Sequence, residues 1–131
     1  MPTPAEIGLR RWHEVVQSRD ATRLPGLIAE NAVFRSPAVH TPQEGRDLVA
    51  AYLSGAFFVL GPQLTYLDEW VHEHDAVLRF TTVVDGLEVE GIDLIRWDTD
   101  GQIVDFTVMI RPFKALQVVM TRMLEELTGQ A

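Results

Sequence analysis

Apolar residues recur at Leu9, Trp12, Val15 and Val16, the spacing of one face of an α-helix. Thr3-Pro4-Ala5-Glu6 stands in front of them as a capping box. Thr3 is the N-cap, Pro4 takes the first helical position and Glu6 follows three residues after the cap. This stripe ends near Arg19. Asp20 is placed to cap a second, shorter helix through about Ala29, in which Pro25-Gly26 predicts a kink or a 3₁₀ start. Asn31-Ala-Val-Phe-Arg-Ser-Pro37 reads as a short strand stopped by its proline. A loop, Ala38 to Glu44, leads to a third helix from Arg46 to about Leu60, which Gly61-Pro62 terminates.

From Gln63 to Arg111 the period changes to two. Four strands are expected, at about 64–73, 76–84, 87–97 and 102–111, with turns at His74-Asp75, Asp85-Gly86 and 98–101. Pro112 closes the last of them. A C-terminal helix follows, with Phe113, Leu116, Met120, Met123 and Leu127 on roughly one side. Segregated helices and an antiparallel sheet make the fold class α+β. Strands this long must twist and coil, which leaves a concave side for helices or a ligand.

The turns set a register. A two-residue turn at Asp85-Gly86 puts Leu78 opposite Asp93, and a loop at 98–101 puts Asp93 opposite Phe106. One face of the meander then carries Leu78, Phe80, Thr82, Val89, Gly91, Asp93, Ile95, Trp97, Val104, Phe106, Val108 and Ile110. Asp93 is the one charged side chain among them. On the other face charges compensate, Arg79 lying diagonal to Glu90 and Arg96 to Asp105. Desolvation disfavours an ionised carboxylate in apolar surroundings and raises its pKa, which makes a poised acid or base out of an ordinary Asp. Two readings of Asp93 stay open: a functional acid in a cleft, or a buried Asp held by a Trp, a Tyr or a backbone amide.

Composition narrows the function classes. The 131 residues contain 11 Lys+Arg against 19 Asp+Glu, a formal charge of −8, with 47% hydrophobic residues. That length and balance fit one domain, 1–131, with a single core. The acidic charge repels phosphate backbones, so nucleic acid is not an expected partner. Absence of Cys removes disulfides, thiolate catalysis and Cys-based zinc sites. No apolar run approaches the ~20 residues of a membrane span, and no signal peptide is read at Met1-Pro-Thr-Pro-Ala-Glu6, so the expected location is cytoplasmic.

Three stretches resemble the nuclear transport factor 2-like superfamily, in its SnoaL-like and ketosteroid-isomerase-like branch. They are Trp12 to Pro37, ending in the short strand above; Gly45-Arg-Asp-Leu-Val-Ala-Ala-Tyr52; and Gly91-Ile-Asp-Leu-Ile-Arg-Trp-Asp-Thr-Asp-Gly-Gln-Ile103. The resemblance covers nearly the whole chain and implies a cone-shaped curved antiparallel sheet wrapped by the three N-terminal helices, with the C-terminal helix added. Ketosteroid isomerases use a Tyr on the first helix, an Asp base before the Pro after the first strand, and a protonated Asp on a late strand. Carried over, these fall on Trp12, Ser36 and Asp93. Trp donates but cannot accept or titrate near neutral pH, and unassisted Ser is a poor base. The expected chemistry is therefore not that of a ketosteroid isomerase. SnoaL-type polyketide cyclases match better, since they need one acid/base at the position of Asp93. Epoxide hydrolysis is a weaker match, because Val108 and Ile110 leave the last strand without a second inner carboxylate.

The resemblance implies a cofactor-independent isomerase, cyclase or hydrolase acting on a hydrophobic cyclic, polyketide- or steroid-like compound. Its pocket would be formed by Trp12, Leu78, Phe80, Val89, Gly91, Ile95, Phe106, Val108 and Ile110, with Asp93 as acid/base. The alternative is a non-catalytic ligand-binding or dimerisation module of the same fold. Members of this superfamily often pair through the second sheet face, so a homodimer through Val83, Ile92, Leu94 and Met109 is implied as well. His40 reads as a proton partner of Asp93 at the pocket mouth or as a solvated loop residue. Tyr52 points its hydroxyl into the pocket or to the surface, and Trp12 stacks on a ligand or packs in the core. His72-Glu73-His74-Asp75 places alternate residues on one strand face without an assignable third ligand, so exposed polar residues are expected there and no metal.

Overall fold

A computed structural model describes residues 1–129. Helix α1 spans Pro4–Ser18, and Thr3 caps it by accepting a hydrogen bond from the Glu6 amide at 3.2 Å. Asp20 caps the next element by accepting from the Thr22 amide. That element is a 3₁₀ turn, Ala21–Leu27, rather than a helix to Ala29. Strand β1 accordingly begins earlier than the sequence pattern indicates, at Ile28, and runs to Arg35. A register shift between Ile28 and Val33 interrupts its pairing, and the exposed pair Glu30 and Asn31 conceals the alternation. Within the expected loop, β2 (Gln43–Glu44) pairs with β1. Helix α2 (Arg46–Leu60) and the strands β3 (Thr65–Val71), β4 (Asp75–Val84), β5 (Leu87–Trp97) and β6 (Ile103–Arg111) follow, and helix α3 (Phe113–Thr128) closes the chain.

The six strands form one sheet in the order β2-β1-β6-β5-β4-β3. Its pairs are antiparallel except β1 with β6, which is parallel, so the sheet is mixed. Asp85 and Gly86 both take positive φ at the β4–β5 turn, and Leu78 lies opposite Asp93 as the turn requires. The β5–β6 pairing departs from expectation by a bulge. Trp97 pairs with Ile103, Asp93 with Val108 and Ile95 with Phe106. The slip is one residue at Trp97 and two beyond the bulge, so Phe106 and Val108 keep their face, whereas Ile103 replaces Val104 among the buried side chains.

The inner face of the sheet and the helices enclose the core. Phe80, Phe106, Trp97, Leu78, Ile95 and Val89 are nearly inaccessible to solvent. Two glycines set close approaches. A Cβ on Gly8 would lie 2.2 Å from the indole of Trp97, so Gly8 lets α1 settle on the sheet. A Cβ on Gly91 would lie 2.5 Å from the Met109 carbonyl oxygen and 2.5 Å from the Phe80 ring, so Gly91 lets that ring lie across β5. Of the side named from the sequence, helix α3 buries Met123 and half-buries Leu116 and Met120, while Phe113 is 73% exposed and Leu127 is exposed too; Ala115 and Val119 turn inward beside Met123. A Cβ on Gly55 of α2 would lie 3.3 Å from the Met123 Cε, so this glycine leaves room for the flexible Met123 side chain.

The outer sheet face carries charge pairs. Arg79 binds Glu90 at 2.9 Å and Asp68 at 2.8 Å, and Arg111 binds Glu90 at 2.9 Å. Arg96 pairs with Asp75, not with Asp105, which instead binds Arg35. No helix among the described residues is long and apolar enough to cross a membrane.

Candidate active site

Asp93 sits in the middle of β5 and is 6% exposed. It borders a cavity of about 220 Å³ between α1, α2 and the inner sheet face. Trp12 and Val16 of α1, Leu53, Ala56 and Phe57 of α2, and Phe80, Phe106 and Val108 of the sheet supply most of its wall. Trp12 packs edge-on to Phe57 and tilted against Phe106, at centroid separations of 6.0 and 5.0 Å. Asp93 is therefore surrounded by rings and aliphatic groups.

Its hydrogen-bond partner is Tyr66 on β3. The phenol donates to Asp93 Oδ2 at 2.7 Å, and the indole Nε1 of Trp12 donates to the Tyr66 oxygen at 3.0 Å. An indole N–H can only donate, so the Tyr66 oxygen receives that bond and its single proton goes to Asp93. The direction of the chain Trp12→Tyr66→Asp93 is thus fixed by chemistry. Among the described residues no buried side-chain oxygen or nitrogen lacks a partner. Oδ1, which receives no such bond, accordingly keeps access to the cavity.

Burial is the main influence on the carboxyl, raising its pKa to about 7, and the bond from Tyr66 opposes that rise. Near neutral pH Asp93 therefore passes between acid and carboxylate with little free-energy change. In the acid form Oδ2 is occupied as an acceptor, so the proton lies on Oδ1 and points to the cavity. Tyr66 is pushed well above the usual phenol range, first by its own burial and then by the charge of Asp93. It stays protonated as a fixed donor.

The other expected site residues separate into groups. Trp12, Phe80, Phe106 and Val108 line the cavity with Asp93. Ser36, Tyr52 and Ile110 lie on a second cavity of about 130 Å³ under α3. That space shares Ala56, Leu60 and Val108 with the first. Ser36 accepts from the Ala38 amide at 3.2 Å, and the Tyr52 ring lies 5.5 Å from that of Phe34. His40 is exposed and lines neither cavity, so the loop does not bring it to Asp93. Leu78, Val89 and Ile95 are packed into the core rather than exposed on either cavity wall, and Gly91 is covered by Phe80. His72 is exposed beside Asp75. Among the described residues no group of three or more His, Asp or Glu side chains is arranged to hold a metal ion.

Tyr66 is the site residue that the sequence pattern did not disclose. Tyr66 pairs with Phe80 while Asp68 pairs with Arg79, so Leu67 is an extra residue that reverses the alternation of β3. The residues after it read as outward or polar, including Glu69, which binds His13 of α1. The available signal was the interval Leu64 to Tyr66, two residues on one face just after the Gly61-Pro62 break.

Known proteins share the fold. The SnoaL-like domain family matches residues 9–106. No curated protein matches the chain. Among solved structures, a steroid delta-isomerase from Pseudomonas aeruginosa is 37% identical with a TM-score of 0.91, covering 96% of this chain and 93% of its own. A protein with a cystatin-like fold from Silicibacter pomeroyi is 32% identical with a TM-score of 0.82, covering 89% and 82%. A SnoaL-like polyketide cyclase homologue from Jannaschia shares the fold at 11% identity and a TM-score of 0.68, covering 86% and 91%. The chain belongs to the SnoaL-like domain family and has the nuclear transport factor 2-like fold.

Proposed function

We propose that the protein is a cofactor-independent proton-transfer enzyme for a hydrophobic cyclic carbonyl compound, with Asp93 as its acid/base. The observation that carries this reading is the Asp93 carboxyl: raised to about 7 in an apolar cavity, with Oδ2 tied to Tyr66 and Oδ1 left to the cavity. As carboxylate, Asp93 takes a proton through Oδ1 from a carbon next to the carbonyl, leaving an enolate. Returning that proton to a different carbon isomerises the compound. Alternatively, the enolate carbon attacks a second carbonyl of the same molecule, and the proton goes to the new alkoxide, which closes a ring. Proton and electron counts balance on Asp93 alone in both cases.

The likeness to a steroid delta-isomerase supports the isomerase form of the reaction. Trp12 and Ser36 nonetheless stand at the positions where ketosteroid isomerases carry Tyr and Asp, so the chemistry proposed here runs through Asp93 with Tyr66 as the donor that positions it. A second reading, binding without turnover, is favoured by one feature. Among the described residues lining the cavity, Asp93 is the sole carboxylate.

Turnover of 3-cyclohexen-1-one to its conjugated isomer, followed by ultraviolet absorbance, distinguishes the two. The wild type is expected to give kcat/KM rising with pH through a midpoint near 7, as the carboxylate forms. Asp93→Asn should lower it by about 10²–10⁴-fold. Binding of the ketone without turnover at any pH would favour the binding module, and unchanged turnover in Asp93→Asn would remove Asp93 from the chemistry.

A further inference from the structure

We propose that the ligand of this cavity carries an anionic group opposite its carbonyl end, and that Arg19 at the mouth recognises it. The inference rests on the reading of the cavity as a ligand site and adds the charge of what it takes. Among the described lining residues Arg19 is the one cation. Trp12 and Val16 of α1 and its C-cap Arg19 all line the cavity, so this wall runs from the Tyr66–Asp93 end toward the mouth. Seven residues of helix correspond to about 10 Å of axial rise, so the Arg19 backbone starts well away from the Trp12–Tyr66–Asp93 end.

The backbone fixes where that side chain starts. Arg19 is the C-cap of α1, in the left-handed conformation at φ 57°, and its amide N–H bonds the Val16 carbonyl. Its guanidinium reaches toward the opposite rim, where Nη2 meets the Pro62 carbonyl at a long 3.5 Å. Pro62 lines the cavity too. A guanidinium has five N–H donors, so this one weak contact leaves most of them free for a planar oxyanion.

The neighbouring carboxylate is engaged elsewhere. Asp20 accepts from the Thr22 amide at 3.0 Å and from its hydroxyl at 2.5 Å, and the cation that acts on its charge is Arg23. No carboxylate among the described residues forms an ion pair with Arg19. The chain as a whole carries −8 and repels anions, so any preference for one must come from a local positive group. Together the groups describe an apolar body with a hydrogen-bond acceptor at one end and a carboxylate-, sulfonate- or phosphate-type anion at the other.

Two dyes with the same aromatic body test this: 8-anilinonaphthalene-1-sulfonate and the neutral N-phenyl-1-naphthylamine, each titrated by fluorescence. Arg19→Asn, whose side chain tolerates the left-handed backbone, is expected to weaken the sulfonate tenfold or more and to leave the neutral dye within twofold. Arg19→Lys should restore most of the sulfonate affinity, and Arg23→Gln should leave both dyes unchanged. Equal weakening of both dyes in Arg19→Asn, or of neither, would overturn the role of Arg19 while leaving the cavity reading intact. Failure of both dyes to bind the wild type would overturn the cavity reading and this inference with it.

Discussion

Replacing Asp93 by Asn should make the protein more stable above neutral pH and remove a pH dependence that the wild type carries. The sign follows from the carboxyl, whose folded-state pKa is raised from 3.8 to about 7. Between those values the folded state holds a proton that the unfolded state has released, so stability falls as pH rises. Below about 4 both states are protonated and no penalty exists; above about 7 both are ionised and the penalty is complete. At about 1.4 kcal/mol per pH unit, the difference amounts to roughly 4 kcal/mol. Asparagine is neutral throughout and can accept the Tyr66 hydrogen bond through its amide oxygen. Carboxylates such as Glu90, held low chiefly by its hydrogen bonds from Arg79 and Arg111, drive stability the other way at acid pH. They are common to both proteins, so urea unfolding of the wild type and Asp93→Asn, compared from pH 4 to 8.5, isolates Asp93. A difference that stays constant with pH would show that the carboxyl is not desolvated.

Tyr66→Phe should have the second-largest effect, because the hydroxyl serves two neighbours at once. Removing it takes away the bond that lowers the Asp93 carboxyl, so Asp93 should titrate above its wild-type value of about 7. It also strips the Trp12 Nε1 proton of its acceptor, in a buried setting where an unmade hydrogen bond costs about 1–3 kcal/mol. The kinetic counterpart is a pH–rate midpoint displaced upward with a smaller loss than in Asp93→Asn, since Phe leaves the carboxyl in place. A double-mutant cycle with Trp12→Phe reads the coupling. The pair should be less destabilising than the sum of the two singles, because losing the donor relieves the loss of the acceptor. Strict additivity would mean that the Trp12–Tyr66 bond contributes nothing.

Asp93 was legible in the sequence because its strand obeys a strict period of two and its turn fixes the parity. Phe80, Phe106 and Val108 followed from the same parity, and even the two-residue slip at the β5–β6 bulge left them on the inner face. Tyr66 was hidden by a one-residue bulge at Leu67, which reverses the alternation that the pattern relies on. The start of β1 was hidden for a related reason: its register breaks after Ile28, and its pairing with β6 joins residues far apart in the chain. Which residues line a space and which merely fill the core is a matter of helix placement. Leu78, Val89 and Ile95 share the face of Asp93 yet lie outside the space that α1 and α2 leave open. Ser36 and Tyr52, expected at the Asp93 pocket, lie instead on the separate cavity that α3 roofs. Of the α3 stripe Met123 is the fully buried member, beside Gly55 of α2, and the helix turns Ala115 and Val119 inward rather than Phe113 and Leu127, an orientation set by what it packs on.

The proposed chemistry rests on one carboxyl, held near neutrality at the edge of an apolar cavity. Titrating the side-chain carboxyl carbon of Asp93 by ¹³C NMR, with Asp93→Asn used for assignment, measures it directly. A midpoint near 7 is expected; a midpoint near the ordinary Asp value of about 3.9 would mean that the cavity does not perturb this carboxyl.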